Sequence, residues 1–100
     1  MARTTDGNRI LRHKLGGNQA ELSDRIAAEK LNVYVARMIH DARMEAGLTQ
    51  QALADLVGTK QQVIARLEDA DYEGHSLSML QRIAGALGRG LSVAFVEKHA

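Results

Sequence analysis

The chain is 100 residues long, carries 13 Lys+Arg against 12 Asp+Glu for a formal charge of +1, and contains no Cys, Pro or Trp. A single domain is expected at this length, with no room for a TIM barrel or a Rossmann enzyme. The lack of Cys excludes a disulfide framework, thiol catalysis and Cys-containing zinc sites. No apolar run approaches the ~18 residues that span a bilayer, and Met1-Ala2-Arg3-Thr4-Thr5-Asp6 lacks the hydrophobic stretch of a secretory signal, so a cytoplasmic protein with no membrane association is expected. Fifteen Ala and twelve Leu beside three aromatics predict a mainly α domain.

The first segment, residues 1–18, reads as a basic flexible leader. The first twenty residues carry Arg3, Arg9, Arg12 and Lys14 against Asp6, a balance of +3, and leave −2 on the rest. Such a leader either follows a polyanion or stays solvated. Asn18, three residues before Glu21, predicts a helix start with a capping box. An apolar stripe follows through Leu22, Ile26, Leu31, Val35, Met38, Ile39, Ala42 and Ala46, interrupted at Glu29 and Lys30, which predicts segments over about 19–30 and 31–46, continuous or kinked near Asn32. Gly47 ends them.

Thr49 then caps a short helix over 50–57 that buries Leu53, Ala54 and Val57, and Gly58 stops it. Thr59 with Gln62 predicts a capping box for a helix over about 60–70 that buries Val63, Ile64 and Leu67. Residues 69–75 are polar and read as a loop, and Ser78 with Gln81 predicts another box, opening a helix over about 79–87. After Gly88-Arg89-Gly90 the period changes to two: Leu91, Val93 and Phe95 alternate with Ser92, Ala94 and Val96 over a strand at 91–97. One strand cannot satisfy its own backbone, so pairing with the same strand of a second copy is predicted, giving a homodimer.

Two short helices joined at Gly58-Thr59, after a longer helix ending at Gly47, have helix-turn-helix spacing. In such a unit the first helix lies across the phosphate backbone and the second enters the major groove of double-stranded DNA. The segment GLTQQALADLVGTKQQVIARLE, Gly47 to Glu68, resembles the Xre/Cro type of helix-turn-helix found in lambdoid phage repressors, without gaps over these residues and more loosely from about Val33 to Gly88. The resemblance implies a lambda-repressor-like helical bundle over 19–90, with the helix-turn-helix at 50–70, preceded by an N-terminal helical extension. It implies Gln50 on a phosphate, Lys60, Gln61 and Gln62 at base edges beside Thr59, Arg66 one turn on, and a structural ion pair between Arg43 and Glu68. The residue types suit this, since Gln bonds adenine bidentately and Lys or Arg prefers guanine. Without the motif, Gln50, Gln51, Lys60 and Gln61 would read as solvated helix filling, and Gln62 is also the candidate to close the cap at Thr59.

The longer layout, with a preceding helix, the segment from Arg66 to Gly88 and a terminal strand, resembles HigA-type antitoxins of bacterial type II toxin–antitoxin pairs. That resemblance implies a bacterial, nucleoid-associated repressor of its own operon that binds a palindromic operator and neutralises a small basic RNase toxin of the RelE/HigB type. The alternative is a stand-alone Xre-family regulator with no toxin. Leu22, Ile26 and Leu31 are the toxin-binding candidates, against the plainer expectation that they pack on their own domain. Asp69, Asp71 and Glu73 stand where phage repressors commonly carry cations, and so face away from DNA, or toward a basic partner, or simply into solvent. His13, His40, His75 and His99 are isolated in the sequence and no phosphate loop of P-loop type is present, so no catalytic role, metal or cofactor is expected.

Overall fold

The computed structural model describes residues 4–97, with side chains described from Gln19 onward. Four helices follow in order: α1 (Thr4–Glu45), α2 (Gln50–Val57), α3 (Gln61–Leu67) and α4 (Leu77–Ala86). The core is small. Ile39 of α1, Leu53, Ala54 and Val57 of α2, Ile64 and Leu67 of α3 and Ile83 of α4 form one buried cluster, with Val35, Leu48, Val63, Met79, Leu80 and Leu87 packed around it. Burying a side chain such as Leu or Ile contributes about 1.5–3 kcal/mol, so these few residues hold three short helices against the last turns of α1.

The turns decide how α2 meets its neighbours. Thr49 is extended, and its hydroxyl accepts from the Ala52 amide at 3.0 Å, opening α2 as its sequence requires. At the other end Gly58 adopts φ 85°, and the amides of both Gly58 and Thr59 donate to the Ala54 carbonyl at 2.9 Å. This closing turn needs the left-handed conformation that Gly takes without strain. Arg82 of α4 adds a donor, its Nη2 reaching the Val57 carbonyl at 2.8 Å. The spare carbonyls at the end of α2 are thereby answered from two sides.

Several boundaries differ from the sequence reading. α1 is one continuous helix from Thr4 to Glu45, so Asn18 is not a helix start and the two expected segments are joined. Cap signals are local, and nothing in the segment, which has no Pro, forces the preceding turn out of helix. Residues 4–18, read as a leader, are part of that helix, while residues 1–3 lie outside the described residues. Thr59 does not cap α3: its amide is engaged in closing α2, and the N-cap passes to Lys60, which makes no side-chain cap bond. The proposed box with Gln62 therefore does not form. α3 ends at Leu67, short of residue 70, because Glu68 is drawn into contacts with α1 and α2. α4 is capped by Ser76, whose hydroxyl accepts from the Met79 amide at 3.1 Å, so the cap lies two residues upstream of the expected Ser78.

No strand forms at 91–97 among the described residues. A strand exists only by its ladder, and a single chain offers this segment no partner. Leu91 is half-buried at the mouth of an apolar groove between α1 and α4, whereas Val93 and Phe95 are exposed.

Candidate nucleic-acid interface

The centre of the site is an acid held between helices. Glu68, the C-cap of α3, has a side chain only 4% exposed. Arg43 of α1 grips it with both arms of its fork: Nε donates to Oε2 at 2.7 Å and Nη2 to Oε1 at 3.0 Å, while Nη1 donates to the Leu48 carbonyl at 2.7 Å. One guanidinium thus ties the end of α3 and the loop before α2 to α1, and the bidentate geometry makes it a strong charge-assisted contact. Burial pushes the Glu68 carboxyl up, but hydrogen bonds from Arg43, His40 and Gln50, with the Arg43 charge, outweigh it and hold the group below the usual carboxylate range. The hydrogen bond to Glu68 outweighs burial at Arg43 as well and raises its guanidinium above its ordinary value.

An ionised carboxylate accepts and never donates. That fixes the polarity of everything bonded outward from Glu68. Gln50 must turn its amide nitrogen inward, and Nε2 donates to Glu68 Oε1 at 3.2 Å. Its oxygen then faces the other way, where it accepts from Gln61 Nε2 at 2.7 Å. Gln61 is left with Oε1 and one N–H free, an acceptor beside a donor, which is the pattern that matches adenine N6 and N7. Gln50 keeps one N–H, suited to a phosphate oxygen.

Around this relay Lys60, Gln62 and Arg66 are exposed, and Gln50, Thr59 and Gln61 are half-buried. Gln51 is turned aside, its Nε2 donating to Asp55 within α2 at 2.9 Å. The acidic loop lies by α1: Ala70, Asp71 and Glu73 line a hollow of about 130 Å³ with Glu29, Asn32 and Val33. Of the remaining candidates, Leu22, Ile26 and Leu31 are all exposed on α1.

Two histidines have roles that single-residue reasoning passed over. His40 Nδ1 lies 3.0 Å from Glu68 Oε1, and His75 Nε2 lies 2.7 Å from the Leu67 carbonyl. A carbonyl only accepts, so His75 carries its proton on Nε2 and closes the end of α3. The signal for His40 was present in the sequence, three residues ahead of Arg43 and thus one turn away on the same face of α1. His75 had no such signal.

Residues 39–93 match the profile of the Helix-turn-helix family. The chain belongs to that family. It is also 48% identical over 52 residues to an HTH-type transcriptional regulator of Methanothermobacter thermautotrophicus, a match covering 52% of this chain and 74% of the relative. The matched helix-turn-helix span opens within the final turns of α1, and Ile39, Arg43 and the whole α2–α3 pair lie inside it. In this helix-turn-helix protein, α3 occupies the place of the second motif helix. Among the described residues no helix is long and apolar enough to cross a membrane, and no group of three His, Cys, Asp or Glu could hold a metal ion.

Proposed function

We propose that this helix-turn-helix regulator binds a palindromic operator in double-stranded DNA as a homodimer, with Gln61 reading an adenine and Gln50 bridging that contact to a phosphate. The observation that carries this reading is the relay from Glu68 through Gln50, which leaves the Gln61 amide with one acceptor and one donor to offer. Lys60, Gln62 and Arg66 are the further base and backbone contacts, and their exposure supports that role, as does the position of Thr59 in the turn. Two such surfaces in a dimer would meet half-sites about one helical turn apart, ~34 Å or a multiple. Dimerisation through Leu91, Val93 and Phe95 is supported by their alternating pattern and by the exposure of the last two.

Selection of bound duplexes from a random pool tests this. The wild-type protein is expected to enrich a palindrome, and Gln61→Ala to lose about 1–3 kcal/mol of discrimination at one base pair of each half-site. An equal loss on every sequence would overturn base reading by Gln61. Sedimentation of the free protein as a monomer at micromolar concentration would overturn the dimer.

The antitoxin role is favoured by one feature: the hollow in which Asp71, Glu73 and Glu29 border Val33, next to the exposed Ile26. Acidic residues flanking an apolar stripe suit a small basic protein such as a RelE/HigB-type RNase. The family match accommodates a stand-alone regulator equally. Co-expression with the neighbouring gene separates the two, since the antitoxin reading requires a small basic protein to co-purify and to be released by Ile26→Asp.

A further inference from the structure

Glu68 Oε1 is oversubscribed. It receives Arg43 Nη2 at 3.0 Å, His40 Nδ1 at 3.0 Å and Gln50 Nε2 at 3.2 Å, whereas among the described residues Oε2 receives only Arg43 Nε. A carboxylate oxygen offers about two lone-pair sites, so three donors compete for them. Gln50 makes the longest of the three bonds, and it is the one from which the orientation of Gln61 follows.

The tautomer of His40 follows from the same distances. With a bare Nδ1 the ring would set a lone pair against the carboxylate at 3.0 Å, so Nδ1 carries the proton and donates. Arg43 Nη2, 3.3 Å from that nitrogen, is a donor too and is satisfied at Glu68. The fork of Arg43 alone fixes the plane of the carboxylate, and His40, with a side chain 42% exposed, is not needed to hold it. His40 Nδ1 and Gln50 Nε2 share one acceptor, Glu68 Oε1, with the His40 contact the shorter of the two.

We propose that His40 is a positioning residue that tunes sequence discrimination: by competing with Gln50 for Glu68 Oε1 it keeps the Gln50–Gln61 relay loose. The proposal rests on the reading that Gln61 contacts a base. Neither His40 nor Glu68 needs to touch DNA for it to hold.

The test compares His40→Phe, which keeps a ring of similar size but has no donor, with His40→Asn, which returns an N–H close to the place of Nδ1–H. The first readout is the dissociation constant for the duplex changed at the base pair that becomes indifferent in Gln61→Ala, divided by the dissociation constant for the selected duplex. His40→Phe is expected to raise this ratio about three- to ten-fold, the span of one ordinary hydrogen bond, and His40→Asn to restore the wild-type value. A ratio in His40→Phe at or below wild type, or an equal change on both duplexes, overturns the proposal.

The second readout needs no DNA. Side-chain amide NMR of the full chain should show the Gln50 NH2 resonances shifted and exchanging more slowly in His40→Phe, and unchanged in His40→Asn. Unmoved Gln50 signals in a folded His40→Phe protein also overturn it. If the wild-type protein selects no sequence at all, the base-reading proposal fails by itself, while the Gln50 signals still decide whether His40 and Gln50 share the oxygen.

Discussion

The two stretches of α1 on either side of Tyr34 carry the same kind of residue and meet different fates. Beyond it, Ala36 and Ile39 are buried, and Arg43 is buried with its charge paired. Before it, Leu22, Ile26, Leu31 and Val33 lie open along the helix. The apolar stripe that runs through both stretches is a property of the helix alone, whereas burial requires α2, α3 and α4 to come round and cover it. They cover only the last turns. Periodicity therefore predicts which face of a helix is apolar, and only the rest of the chain determines how much of that face is used.

The largest effect that would break the comparison is expected at the charged end. Glu68→Ala strips the partner from a nearly buried Arg43 and should cost about 3–5 kcal/mol in chemical denaturation, a large part of the ~5–15 kcal/mol that holds a small domain. DNA binding should then disappear through unfolding. Normal stability in this variant would mean that the paired end of α1 is no better held than the exposed one. The same group gives a pH dependence with a definite sign. Its carboxyl sits lower in the folded chain than the ordinary 4.5. Its contribution is thus complete above that value and is lost as the pH falls through the folded value. The stability gap between wild type and Glu68→Ala should narrow on acidification; a gap constant from neutral pH to the acid limb would remove the assignment.

Smaller effects are expected at the helix ends. Thr49→Ala should cost about 1 kcal/mol, because its hydroxyl caps α2. Lys60 holds the equivalent position at α3 and makes no cap bond, so Lys60→Ser should raise stability by about 1 kcal/mol while weakening DNA binding. A destabilised Lys60→Ser protein would show that the lysine is there for the fold. An uncapped helix that begins the proposed reading surface is the pattern expected where a local rule yields to function.

Much of this arrangement was legible in advance, for particular reasons. The turn at Gly58, the cap at Thr49 and the inward Leu53, Ala54 and Val57 lie within one short window, where local chemistry decides the outcome. Arg43 and Glu68 were named only because the segment resembles a known motif, since nothing local links residues 25 apart. Thr59 misled because it carries a good capping side chain while its own amide closes the preceding helix, and sequence cannot say which end a shared linker residue serves. The contacts of Gln50 with both Glu68 and Gln61 depend on the separation of three helices, and no spacing rule supplies that.

The smallest predicted effect separates the two stretches of α1 most directly. Ile39 is 2% exposed and Leu31 is 61% exposed, on the same helix and two turns apart. Ile39→Ala should cost about 2–5 kcal/mol, the transfer cost plus the cavity left among α2, α3 and α4. Leu31→Ala should fall within about 0.5 kcal/mol of wild type, because water already covers most of that side chain. The measurement to make is the pair of denaturation curves at two protein concentrations tenfold or more apart. If Leu31→Ala is neutral at both, the Leu31 face of α1 is uncovered in the isolated protein and any partner for it must be supplied. A cost near that of Ile39→Ala, growing with concentration, would instead mean that a second copy covers this stretch, because stability gained by association follows mass action.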